Sequence, residues 1–151
     1  MATSVTPTLI DALVTAATAA LTTTVVTDGK GVMDNPGTYL MVGVDDPDAD
    51  SLTDGAESRM TWAGMGNRAR DQEGDLWLVA GAVSGDTAKA ARDAAYVVMA
   101  AVETVARNDP TISGVITTGW TYVSSERLQQ AASKRGFRAR VAFQLHYKTR
   151  L

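Results

Sequence analysis

From Ala139 to Lys148 the chain alternates. Ala139, Val141, Phe143, Leu145 and Tyr147 take one side, and Arg140, Gln144, His146 and Lys148 the other, with Ala142 between them. Only an extended strand sends every second side chain to the same side, so the spacing predicts a strand buried on one face and basic on the other. An apolar sheet face must be covered, and the sequence supplies a cover. Across Thr87 to Arg107, Ala91, Ala95, Val98, Val102 and Val105 or Ala106 recur at helical spacing, with Lys89, Asp93, Glu103 and Arg107 on the opposite side. Ser84-Gly85-Asp86 marks the start of this helix, Asn108-Asp109-Pro110 stops it, and Glu103–Arg107 has the favourable i,i+4 order.

The remaining elements follow from local chemistry. Thr6 is placed to cap a first helix, Pro7 suits its first turn, and Ile10, Leu13, Val14, Ala17 and Leu21 form its apolar stripe. The β-branched run Thr22-Thr23-Thr24 leads into a strand through Val25 and Val26. Asp28-Gly29-Lys30-Gly31 and Asn35-Pro36-Gly37 read as turns. Thr38 to Val44 and Leu76 to Val83 are short apolar runs that predict buried strands, and Arg59 to Met65 is a weaker one. Gly66 to Gly74 reads as a polar loop and Val115 to Val123 as a strand. Ser125 to Arg135 reads as a short helix stopped by Gly136. The order predicts an α+β fold: a mixed, largely antiparallel sheet with the long helix across one face, an N-terminal helix, and a short helix in the C-terminal half.

Length and composition agree with one domain over residues 1–151. With 45% hydrophobic and 21% charged residues, the chain can bury a core and is neither disordered nor membrane-like. No apolar run approaches membrane-spanning length, and the start Met1-Ala-Thr-Ser-Val lacks the basic residues of a signal peptide, so a soluble cytosolic product is expected. Cysteine is absent, which excludes disulfides, thiolate metal sites and cysteine nucleophiles.

Charge is segregated along the chain although the total is only −3. Asp28, Asp34, Asp45, Asp46, Asp48, Asp50, Asp54 and Glu57 stand against Lys30 alone, whereas Arg127, Lys134, Arg135, Arg138, Arg140, Lys148 and Arg150 fall in a stretch with no acid. One acidic and one basic surface would let copies pair head to tail, and such contacts close into rings when the rotation allows. Contacts of that kind would weaken with salt. Solvated loops and strand edges with no partner are the plainer reading.

The motifs carrying chemistry are few. Asp46, Asp48, Asp50, Asp54 and Glu57 fall at positions 1, 3, 5, 9 and 12 of a calcium-loop spacing, but Ser51 stands where that loop needs glycine and strands flank it where helices are required. A solvated acidic loop is the better reading. Gly29-Lys30-Gly31 lacks the spacing of a phosphate-binding loop, and Gly64-Met65-Gly66 lacks the third glycine of a dinucleotide fingerprint because Ala69 occupies it. His146 is the only histidine, so zinc bound by histidines and cysteines is excluded and any histidine base must be this residue. Trp62, Trp77 and Trp120 lie in predicted strands and are expected to pack in the core or sheet. The net negative charge disfavours nucleic acid as the main partner.

Taken in order, these segments resemble the tail terminator proteins of long-tailed bacteriophages of actinobacteria. The likeness covers residues 6 to 150: an N-terminal helix, a strand ending in VVTDG, a proline–glycine loop, TYLMVGVDDPDA, a tryptophan strand, an arginine-bearing loop, DLWLVAGAVSG, a long alanine-rich helix and a basic final strand. The resemblance implies a hexameric ring in the virion neck with no enzymatic activity and no cofactor. Such a ring caps the tail tube, ends its polymerisation and meets the head connector, with DNA only passing through its lumen and no membrane partner. Candidate subunit, tube or connector contacts are then Asp45, Asp46, Asp48 and Asp50 in the acidic loop, Arg68 and Arg70 in the loop from Gly66 to Gly74, and Arg138, Arg140 and Lys148 on the final strand. A head-completion stopper and a small α+β hydrolase or ligand-binding domain are the alternatives.

Overall fold

The computed structural model describes residues 3–31, 37–64 and 68–151. Asp34, the Asn35-Pro36 half of the second turn, and the expected positions Met65 and Gly66 lie outside them. The described chain is α+β. Helix α1 (Thr6–Ala20) precedes β1 (Val25–Asp28), β2 (Thr38–Val42), β3 (Ala56–Trp62) and β4 (Arg70–Ser84). Helix α2 (Ala88–Asn108) leads to β5 (Thr121–Ser133) and β6 (Gly136–Arg150). The sheet runs β1-β2-β4-β6-β5, and β3 pairs with the part of β4 that β2 leaves free. Only β1 and β2 are parallel; every other pairing is antiparallel.

Both helices cover one face. Helix α2 buries Ala91, Ala95, Val98, Met99, Val102 and Ala106, the face predicted from its spacing. Its alanines let the backbone lie close to the sheet, and Thr87 caps it by accepting the Ala90 N–H at 3.0 Å. From the sheet come Leu76, Leu78 and Ala80 of β4 and Val141, Phe143, Leu145 and Tyr147 of β6. Helix α1 buries Leu9, Leu13 and Ala17, while Ile10, Val14 and Leu21 lie at the margin of the core. Its stripe is therefore turned from the predicted one.

The start of α1 explains that turn. Thr6 is not the cap; Val5 is, and it has no capping side chain of its own. The task passes to Gln72 of β4, which is fully buried and accepts the Val5 N–H at 2.9 Å. Gln72 Nε2 faces the hydroxyls of Ser4 at 2.9 Å and of Thr6, Ser58 and Tyr147 at 3.1 Å each. Thr6 and Tyr147 bond to each other at 2.7 Å, so this polar knot satisfies itself.

Three expectations fail, the first two because sheet pairing overrides local preference. Arg70 to Gly74 is the start of β4 and not a loop; Asp71 and Glu73 face outward opposite Arg150 and Lys148, and Gln72 between them faces the helices. Ser125 to Arg135 is no helix. Residues up to Ser133 form β5, held in antiparallel register by β6, and Lys134-Arg135 is the hairpin turn before Gly136. The strand expected from Val115 begins only at Thr121. The chain before it turns through positive φ at Ile112, Ser113 and Gly114, which lets Ile112 and Ile116 plug the core from a loop.

Gln72→Ala should leave the Val5 N–H without a partner, while the Tyr147 hydroxyl keeps Thr6. An unsatisfied buried group costs about 1–3 kcal/mol, so urea unfolding should show a loss of roughly that size. Lys89→Ala, on the solvent side of α2, should stay within about 0.5 kcal/mol of the parent. Equal stability of all three proteins would show that Gln72 does not anchor the helix.

Candidate functional site: the charged outer face of the sheet

The face away from the helices carries two groups of charge. At one end β4 and β6 oppose residue by residue: Asp71 to Arg150, Glu73 to Lys148 and Asp75 to His146. Arg150 donates from Nε to Asp71 at 2.8 Å and from Nη2 at 3.3 Å. Lys148 lies 3.5 Å from Glu73. His146 donates from Nδ1 to Asp75 at 2.9 Å, since a carboxylate only accepts, and its Nε2 faces Glu73 at 3.3 Å. The His146 ring also lies beside Trp120 and Tyr122, with centroids 5.5 and 5.2 Å away. Those two rings stack on one another at 5.0 Å and are nearly half exposed. A shallow cavity of about 380 Å³ opens here, lined by Glu57, Arg59, Asp71, Glu73, Asp75 and His146 among others.

The second group lies under the acidic loop, residues 43–55. Both ends of this loop attach to one residue of β4. Gly43 and Val44 donate their N–H groups to the Trp77 carbonyl at 2.8 and 3.3 Å, and Trp77 donates its N–H to the Gly55 carbonyl at 2.9 Å. Trp77 stands where β4 changes partner from β3 to β2. Gly43 leaves β2 with φ +80, a conformation that favours glycine. The loop then crosses the outer face as a strap. Val44 closes a small apolar cluster with Met41, Val79 and Ala142, and Tyr39 packs against it.

Arginines from the last two strands pin this strap. Arg127 of β5 donates to Asp45 at 3.0 Å. Arg140 of β6, with a side chain only 19% exposed, donates to Asp48 at 2.7 Å, to Asp46 at 3.4 Å and, through Nε, to Gln129 of β5. The opposed charges of the sequence therefore meet within one chain, and Asp45, Asp46 and Asp48 are engaged at home.

The expected contact residues thus divide. Asp45, Asp46, Asp48 and Arg140 come together, and Arg138 sits beside them. Asp50 is exposed on the strap with no ion pair among the described residues. Lys148 belongs to the ladder, ten residues along β6 from Arg138 and so about 33 Å away. Arg70 is at that far end too, exchanging backbone hydrogen bonds with Leu151, and exposed Arg68 precedes it. These residues do not form one site. Trp62 and Trp120 are largely or half exposed, and Trp77 is half-buried on the outer face, so no tryptophan is in the core. The sequence reading missed Asp71, Glu73 and Asp75. Their signal was present: acids at every second residue, matching Arg150, Lys148 and His146 read backwards.

Among the described residues no cluster of three or more metal-ligating side chains is found, and no helix is long and apolar enough to cross a membrane. No protein-family model matches the chain, and no curated protein matches it.

The ladder sets an acid limit on stability. The Arg150 guanidinium, bonded to Asp71, holds that carboxyl below its ordinary value of 3.8. Lys89 does the same for Asp93, and the Thr111 hydroxyl with the Ser113 N–H for Asp109. Depressed carboxyls leave the folded chain with fewer protons than the unfolded one, so their contribution is full above the ordinary value and vanishes as pH falls through the lowered ones. Asp71→Asn should melt below the parent near neutrality, and the gap should close as pH falls below the ordinary carboxyl value of 3.8. A gap that stays constant to pH 2 would show that the Asp71–Arg150 pair does not hold in solution.

Proposed function

We propose that this chain is a structural protein of a phage virion: a tail terminator whose ring caps the tail tube, ends its polymerisation and joins the tail to the head connector. The observation that carries the reading is the state of the sheet edges. Strand β5 is an outermost strand, and from Ser124 to Ser133 it is exposed on both faces. Leu128 stands open on its helix side. The other margin exposes Met60 and Trp62 of β3, also on the helix side because they share it with Gln72 and its neighbours. Bare edges are templates for pairing, and soluble proteins protect them unless something covers them. Two different edges in one molecule suit a heterologous, head-to-tail contact, which closes into a ring. The resemblance of the order of elements to the terminator family implies the hexamer, the tube protein and the connector as partners, with DNA only passing through.

Two further points support this reading. His146 Nε2 faces Glu73 and not a hydroxyl, so histidine and nucleophile are not paired as hydrolysis by a serine or threonine needs. Of the charges that suggested charge-driven assembly, Asp45, Asp46 and Asp48 are paired with Arg127 and Arg140 within one chain, which favours backbone and apolar edge groups for the contact.

Two measurements test the proposal. Ring mass by light scattering should change little from low salt to about 0.5 M, since edge pairing is not screened as exposed charges are. Collapse of the ring over that range would return the contact to the charged loops. Deleting the gene from its phage should give DNA-filled heads beside unattached tails, some of them overlong. Normal-length tails with empty, DNA-leaking heads would identify a stopper, and unchanged virions would overturn both readings.

A further inference from the structure

A second cavity, about 520 Å³, lies between the strap and the last hairpin, lined by Tyr39 of β2, Asp48 of the strap, Gln129, Gln130 and Ala131 of β5, and Arg138, Ala139 and Arg140 of β6. The geometry points to a binding site for a carboxylate-bearing acidic segment of a partner protein, held by Arg138 and Arg140, with the strap's own Asp48 as its internal competitor. This inference does not rest on the virion reading.

The argument starts from an asymmetry between two arginines. Both lie on the outer face of β6, two residues apart. Arg140 has two carboxylates and an amide oxygen; Arg138 has no ion pair among the described residues. Their cross-strand neighbours on β5 differ as well. Gln129 reaches Arg140, whereas Ala131 opposite Arg138 leaves the space above that guanidinium open. Tyr39 fills the other wall. Its ring lies directly over Gly81, where a Cβ would come within 2.1 Å of it, so glycine is what lets this wall form. Burial and the Asp48 charge push the Tyr39 hydroxyl up from its ordinary pKa, while the charges of Arg140 and Arg138 pull it down.

The chemistry of the occupant is shown by the one group already there. Asp48 is a peptide-borne carboxylate, 80% exposed, and Arg140 is its only ion-pair partner among the described residues. Guanidinium forks donate to carboxylates in a planar, two-bond geometry. A second carboxylate entering beside Asp48 meets Arg138 unopposed, and one replacing Asp48 gains Arg140 as well. The volume is in the range of ordinary ligand sites. Gln129 and Gln130 continue its wall along β5.

The probe is a fluorescein-labelled hexapeptide of alternating Asp and Ser, titrated into the full chain and read by anisotropy. Saturable binding is expected, weakened about tenfold or more by Arg138→Ala, the scale of one charge-assisted pair. Asp48→Asn should tighten binding several-fold by removing the shorter of the two carboxylate contacts of Arg140. Asp50→Asn removes the same charge from the same strap without touching Arg140 and should leave affinity near the parent's. Equal tightening by both aspartate variants would show a general field effect and overturn the site. So would absence of saturable binding, or binding indifferent to Arg138→Ala in a variant with the parent's circular dichroism. Displacement of the peptide by equimolar inorganic phosphate would also overturn it, in favour of a simple anion site.

Discussion

The pairing of β4 with β6 is the interaction on which the rest depends. Fourteen consecutive residues match, from Asp71 opposite Arg150 to Ser84 opposite Phe137. Because side chains alternate, this single register fixes what lies on each side over the whole length of both strands. It gives the helices Leu76, Leu78, Val141, Phe143 and Leu145 to cover, and it aligns the acids of β4 with the bases of β6 on the other side. A slip of one residue would bury Glu73 and Asp75 and expose the core. Hydrophobic burial and charge matching thus specify the same alignment, so neither can be met without the other.

That double use also explains why so polar a face stays local in its bonding. Exposed ion pairs are weak singly, about 0–1 kcal/mol, and do little to hold a fold. What they do here is favour one alignment: a two-residue slip leaves one acid of β4 without a base opposite it. The strap follows the same logic at the other end. Val44 supplies the burial and the arginines supply the direction in which the loop must lie.

Much of this was legible from residues alone, and the failures have a common cause. The alternation from Ala139 to Lys148 and the face of α2 could be read because each element buries a full apolar stripe against its neighbour. Ser125 to Arg135 could not. Its Gln, Ala, Lys and Arg residues favour a helix, and only the hairpin to β6, a partner not visible within the window, makes it extended. Asp71 to Asp75 failed for the converse reason: a strand whose outward side chains are all charged resembles a loop until its complement is known. The site suffered most. Charge segregation was correctly seen, but sequence does not tell whether opposite charges meet across a boundary between molecules or across one sheet, and here several of them meet across one sheet. Gln72 carried no signal, since nothing local marks a glutamine as the cap of a helix sixty-seven residues away.

The strap has a property that follows from its two ends alone. Gly43 and Gly55 touch, both held on the backbone of Trp77, while the tip at Leu52 is fully exposed. A loop that closes on itself in this way is topologically a side branch: the sheet runs from β2 to β3 along β4 whatever lies between. Closure entropy grows only slowly with loop length, about 0.6 kcal/mol per doubling. Residues added near the exposed tip, away from Val44 and the paired Asp45, Asp46 and Asp48, would therefore leave the register of the scaffold unchanged.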